Sequence, residues 1–316
     1  MILTLTAMIF DILLIVLGVA MVLLGADRLT EGAAALARRM NVPEIIIGLT
    51  IVAAGTSAPE LFVSLVSALK GTPDMAMGNV VGSNTMNCML IVGCAAMVAP
   101  MTISRSTVQK DIPFSVGASV LLMILAINAY LGRFDGIILL LGFAAFMYYT
   151  LLQAKKGQVE QQETVKQVNP WLSAFFVVLG LAMLVVGSNV FVDAASDVAY
   201  SLGLSEGVVG LTIVAGGTSL PELATSVVAA RKGQSAIAIG NVIGSNVFNI
   251  LLILGLTATI SPMQIQGITL VDMGMMLGSV SLVWLFSYTR FTVERWEGAL
   301  LVGGYLVYLC WLLSNV

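Results

Sequence analysis

GLTIVAAGTSAPELFVSLVSALKGTPDMAMGNVVGSNTMNCMLIVG, residues Gly48 to Gly93, returns as GLTIVAGGTSLPELATSVVAARKGQSAIAIGNVIGSNVFNILLILG, residues Gly210 to Gly255. The two align at a constant offset of 162 without a gap, and about 28 of the 46 pairs are identical. Self-similarity at a fixed offset marks a duplicated unit. Shared apolarity does not account for it, because many matched residues are polar. Thr56 and Thr218, Glu60 and Glu222, Ser83 and Ser245, and Asn87 and Asn249 all coincide.

The surroundings of this duplicated stretch are those of a membrane. The chain has 316 residues, of which 59% are hydrophobic and 10% charged, and its mean hydropathy is +1.01. Soluble domains carry about 25% charged residues. Apolar spans of ~20 residues fall near 8–25, 43–69, 75–98, 112–130, 134–153, 171–191, 207–230, 236–259, 268–288 and 297–314. The expectation is an all-α integral membrane protein of about ten transmembrane helices. The N-terminal run lacks a positive n-region and exceeds a typical signal core, so it reads as the first span.

One connection is clearly polar, QAKKGQVEQQETVKQVN from Gln153 to Asn169, which cannot support a core. It divides the chain into 1–153, a loop at 154–169, and 170–316. Orientation follows from the basic residues. With the N-terminus outside, 12 of the 14 Lys and Arg residues lie inside, and only Lys70 and Arg133 lie outside. That predicts both termini outside and the central loop in the cytoplasm, with a prokaryotic-type plasma (inner) membrane as the compartment. Five spans per half also make the second half enter upside down. Inverted repeats of this kind build transporters, with the binding site at the midplane where they meet.

Composition excludes several chemistries. There is no histidine, so Ser-His hydrolysis, His-ligated zinc and His relays are ruled out. Cys88, Cys94 and Cys310 lack ligand-pair spacing and read as small core residues. No basic stripe suggests nucleic acid, and neither a cofactor nor an obligate protein partner is evident.

The repeated motifs carry the chemistry. GTSAPE (Gly55 to Glu60) and GTSLPE (Gly217 to Glu222) each sit mid-span. Proline lacks an N–H and clashes with the carbonyl four residues back, so Pro59 frees the Gly55 carbonyl and Pro221 that of Gly217. Such breaks survive in a bilayer only where the backbone is buried or lines a cavity. A freed carbonyl at the end of a half-helix suits a cation. If helix resumes, Thr56, Ser57 and Glu60 share a face, as do Thr218, Ser219 and Glu222. A carboxylate at the bilayer centre costs about 2.5–3.5 kcal/mol on insertion scales. No Lys or Arg sits mid-span to offset it, so protons or bound cations should neutralise Glu60 and Glu222.

The second motif is GNVVGSNTMN, Gly78 to Asn87, copied as GNVIGSNVFN, Gly240 to Asn249. Its glycines four apart are a helix-contact device. Ser83 and Asn87, and Ser245 and Asn249, each point one way. Neutral oxygens facing two carboxylates make a cage for a hard cation, and calcium takes 6–8 such ligands. Asn84 and Asn246 either bind ions or bridge helices, and Asn79 and Asn241 are expected to bond across helices. Asp27, Glu31, Asp193 and Asp197 read as solvated loop or vestibule residues.

On GTSAPE with GNVVGSNTMN and GTSLPE with GNVIGSNVFN, the chain resembles the calcium:cation antiporters, specifically the sodium/calcium exchanger branch of prokaryotic type. The resemblance implies two inverted five-helix repeats with broken second, third, seventh and eighth helices. It implies calcium bound by Glu60 and Glu222 with the carbonyls of Thr56 and Thr218. Sodium would be held by Ser57, Ser83, Ser219 and Ser245, the carbonyls of Ala53 and Ala215, and the same two glutamates. Asn87 and Asn249 would form a central polar ring, and the first and sixth helices would slide as a gate. Many exchangers have an aspartate where this chain has Asn249, which points to potassium independence. Val80 and Val242 stand where the proton/calcium branch has a glutamate, which favours sodium as the counter-ion.

The expected function is therefore sodium/calcium exchange by alternating access. The alternative is a same-fold antiporter coupled to protons or another cation. A passive channel fits inverted repeats poorly. An intramembrane hydrolase would lack a base for Ser57 or Ser219.

Overall fold

The computed structural model describes residues 2–156, 170–202 and 215–314. Twelve helical elements follow in order. These are α1 (Ile2–Met40), α2 (Glu44–Thr56), α3 (Ala58–Leu69), α4 (Pro73–Val98), α5 (Thr107–Leu125), α6 (Arg133–Lys156), α7 (Pro170–Ser201), α8 (Ala215–Thr218), α9 (Leu220–Arg231), α10 (Ser235–Ile260), α11 (Leu270–Arg290) and α12 (Arg295–Ser314). Among the described residues, eight helices are long and apolar enough to span a bilayer, or nine if α2 and α3 count as one bent span. The beginning of the expected span 207–230, and most of the polar segment 154–169, lie outside the described residues.

The first helix is longer than its apolar run. It continues through Asp27 and Glu31 to Met40, so these two acids sit on a helix rather than in a loop. They are half-exposed to exposed and are held in ion pairs with Lys232 and Arg28. Asp193 and Asp197 likewise stand on α7.

Glycine sets the closest helix pair. A β-carbon on Gly18 would lie 2.8 Å from the Gly187 carbonyl oxygen, one on Gly25 2.9 Å from that of Gly180, and one on Gly32 2.8 Å from that of Ser173. Only glycine allows backbones this near. The contact numbers rise by seven on α1 as they fall by seven on α7, so these helices run antiparallel. They occupy equivalent places in the two halves, since Gly18 and Gly25 correspond to Gly180 and Gly187 at the same offset of 162.

α4 and α10 are the most enclosed spans, α10 over nearly its whole length. α6 and α12 form the outside, where Phe134, Leu141, Val307 and Leu300 face outward as a lipid-facing surface would. Cys88 is in the core, but Cys94 is only half-buried and Cys310 is exposed on α12. Those two cysteines are thus not core residues: a surface of this chain can be as apolar as its interior. Two short antiparallel clasps join the halves. Met101–Thr102 pairs with Thr292–Val293, and Tyr130–Leu131 with Met263–Gln264.

Candidate ion-binding site

The break in each GTS(A/L)PE motif positions the carboxylates. Ser57 (φ −82°, ψ 6°) and Ser219 (φ −90°, ψ 6°) leave helical geometry, and helix restarts with proline in its first turn. The α2 and α3 axes differ by 46°. Glu60 and Glu222 therefore stand in the first turn of a new helix, where the N-terminal dipole favours a negative side chain.

The break also redirects the serines. Continuous helix would pair Ser57 with Glu60; instead Ser57 Oγ donates to Glu222 Oε1 at 3.1 Å, and Ser219 Oγ donates to Glu60 Oε1 at 3.2 Å. Thr56 Oγ1 turns away from Glu60, donating to Val52 O and to Asn241 Oδ1 at 3.0 Å. Each half thus supplies a hydroxyl to the other half's carboxylate, and the reciprocity makes the site one unit. Ser245 Oγ reaches Glu222 Oε1 at 3.4 Å, and Ser83 Oγ meets Ser219 Oγ at 3.2 Å. The Ala53 carbonyl accepts from Ser57 N at 3.0 Å. Ala215 opens α8 at the edge of the described residues. Of the freed carbonyls, that of Gly217 accepts the hydroxyl of Ser188 on α7, a contact that no local motif announces.

Small residues bring the second motif against the first. A β-carbon on Gly48 would lie 3.1 Å from Gly240 Cα, and one on Gly244 2.9 Å from Leu49 Cα. At this spacing Asn241 reaches Thr56, and its amide donates to Glu222 O and Ser226 Oγ. Asn79 does the same to Glu60 O and Ser64 Oγ. The expected cross-helix role of these two asparagines is thus observed.

The third and eighth spans are not broken as the resemblance implied. α4 and α10 each run as one span, with a π-helical turn at Asn87–Ile91 and Phe248–Leu254 respectively. Neither turn contains the proline that interrupts the second span, so the extra residue widens the helix without cutting it. Asn87 Nδ2 donates to Asn246 Oδ1 and Asn249 Nδ2 to Asn84 Oδ1, both at 3.0 Å. Asn84 Nδ2 donates to the Asn246 carbonyl, and Asn246 Nδ2 lies 2.9 Å from Cys88 Sγ. Asn84 and Asn246 therefore bridge the two helices.

What remains is a matched set of oxygens. Glu60 Oε2, Glu222 Oε2, Asn87 Oδ1 and Asn249 Oδ1 are buried and accept no hydrogen bond among the described residues. Both glutamates are 1% exposed, and among the described residues no Lys or Arg pairs with either. Such groups are costly unless something neutralises and coordinates them. Two carboxylates with neutral oxygens suit a hard cation, whereas softer metals prefer sulfur or imidazole nitrogen. Among the described residues no cluster of three or more His, Cys, Asp or Glu is present.

Fold and site together define a multi-pass membrane protein with a buried polar centre suited to cations. The chain matches the sodium/calcium exchanger protein family twice, over residues 10–152 and 172–314, and it belongs to that family. It is 37% identical over 313 residues to the inner membrane protein YrbG of Escherichia coli, covering 95% of each chain. It is 32% identical over 340 residues to the sodium/calcium exchanger MaX1 of Methanosarcina acetivorans, covering 95% of this chain and 97% of that one. Among solved structures, the sodium-calcium exchanger NCX_Mj superposes with a TM-score of 0.85 at 29% identity, covering 96% of this chain and 98% of the other.

Proposed function

We propose that this protein is a secondary antiporter exchanging sodium for calcium by alternating access, built as two inverted five-helix repeats. The observation that carries the reading is the set of four unpartnered buried oxygens on Glu60, Glu222, Asn87 and Asn249. Two carboxylates balance one calcium ion. The two amide oxygens and the carbonyls of Thr56 and Thr218 bring the count to the six or more that calcium takes. Sodium competes for the same carboxylates with help from Ser57, Ser83, Ser219 and Ser245 and the carbonyls of Ala53 and Ala215.

Exchange follows from that overlap. Calcium and sodium cannot both fill the site, so one leaves before the other enters. The empty site carries two uncompensated charges and resists the occluded state, which suppresses leak. No cofactor takes part; the cations are substrates. The basic-residue count and the similarity to an inner membrane protein support an inner-membrane location, termini outside and central loop inside.

The test is calcium-45 uptake into proteoliposomes loaded with sodium, with and without an outward sodium gradient. Uptake that requires the gradient and is lost in Glu222→Gln is the expected result. Uptake indifferent to sodium but driven by a pH gradient would replace sodium with protons as the coupling ion.

A further inference from the structure

Alternating access requires two faces that open in turn, and the two halves of this chain are not in the same state. At the offset of 162, Asp27 corresponds to Asn189, Glu31 to Asp193, Lys232 to Lys70, and the α1–α9 contact to the α7–α3 contact. α1 lies along α9. The equivalent faces of α7 and α3 part around a crevice of about 420 Å³, lined by Pro59 and Phe62 on α3 and by Ser188, Asn189 and Asp193 on α7. At ~30 Å³ per water, it admits several waters. It reaches Gly217 and Thr218, at the edge of the ion site. Because α1 and α7 are antiparallel, Asp27 lies level with Val178 and Asn189 level with Val16. At 1.5 Å per residue the two positions are about 16 Å apart along the helices. One end is open and the other shut.

On the shut end, Lys232 Nζ lies 2.7 Å from Asp27 Oδ1 and donates to Asp27 O at 2.9 Å and to Thr30 Oγ1 at 3.2 Å. All three ammonium protons hold α1 to the end of α9. On the open end, position 189 carries a neutral amide. Among the described residues Lys70 forms no ion pair.

We infer that the Asp27–Lys232 pair is a latch that holds one face of the carrier shut, and that the Asn189–Lys70 position is its counterpart without an ion pair, leaving the opposite face free to open. The inference rests on the alternating-access reading above. It gives the access equilibrium a built-in bias that the symmetric ion site cannot supply.

The test reads both faces by cysteine alkylation in purified detergent-solubilised protein, with Cys88, Cys94 and Cys310 replaced by alanine. Val185→Cys reports the crevice. Ala26→Cys, which is fully buried and equivalent to Ser188, reports the latched face. In the parent, N-ethylmaleimide modifies Val185→Cys readily and Ala26→Cys slowly. Lys232→Gln is expected to speed the Ala26→Cys reaction by up to about fivefold, the upper end of the range for a partly exposed ion pair, and to slow Val185→Cys. The charge swap Asp27→Lys with Lys232→Asp should restore both rates. Asn189→Asp, which offers Lys70 a partner, should slow Val185→Cys without touching the latch. It decides the matter alone if Lys232→Gln does not fold. Unchanged rates in Lys232→Gln and Asn189→Asp would overturn the latch. If sodium and calcium still shift the reporters in the parent, only the latch fails; if they shift neither, alternating access fails with it.

Discussion

Replacing Glu222 with glutamine tests the site where its physics is sharpest. The substitution keeps the shape, keeps an oxygen to accept from Ser57 and Ser245, and removes one negative charge. In the native protein that charge is 1% exposed and, among the described residues, shares no ion pair and has one oxygen without a partner. If calcium is its partner, removing it breaks a buried charge pair, an effect of about 3–5 kcal/mol. At 1.4 kcal/mol per decade this weakens calcium binding by roughly 10²- to 10³-fold or more. The ion-free protein should respond in the opposite sense. An unpaired buried carboxylate is a liability, so its neutral isostere should leave ion-free stability unchanged or raise it. The assay is thermal unfolding in detergent across a calcium titration. At a hundred times Kd, a bound ligand adds about 2.7 kcal/mol to stability, so the native protein shows a rising Tm and the variant a flat one at the same concentrations. Glu60→Gln should behave alike, because the two carboxylates hold equivalent places. A variant that keeps the native calcium response, or one markedly less stable without ions, would show the glutamates to be structural.

Three further outcomes follow. Asn87→Ala combined with Asn249→Ala removes the two neutral oxygens while leaving both charges, and calcium affinity measured by isotope binding should fall about tenfold, one to two hydrogen-bond equivalents; retained affinity would remove the amides from the site. Ser188→Ala leaves the Gly217 carbonyl without its hydroxyl, a loss of about 1–3 kcal/mol if no water replaces it, seen as a lower Tm with the ion-free and calcium-bound forms shifted together. Gly180→Ala places a β-carbon 2.6 Å from Leu29 N, forcing α1 and α7 apart at about 1–3 kcal/mol, with slower exchange in proteoliposomes as the readout.

Much of this protein could be read without coordinates because its essential features are local and repeated. The apolar runs marked the spans, since a bilayer demands about twenty apolar residues wherever the chain crosses. The duplicated GTS(A/L)PE motif located the helix break, since proline disrupts helix whatever surrounds it. Two mid-span glutamates with no basic residue nearby pointed to a cation. Tertiary structure alone decided the pairings. Ser57 serves Glu222 rather than Glu60 because the break at Ser57 turns its side chain toward the other half, and a helical spacing rule holds only while the helix continues. Asn84 and Asn246 bridge while Asn87 and Asn249 keep free oxygens, a division set by the π-helical turns that sequence spacing does not reveal. Helix α1 outruns its apolar segment because Leu29, Ala33, Ala34 and Ala37 are buried against the rest of the chain, a packing that the charged residues around them conceal in the sequence. The repeat made the ion-site motifs of the two halves alike; that α1 packs along α9 while α7 and α3 part around a crevice is visible only in the packing.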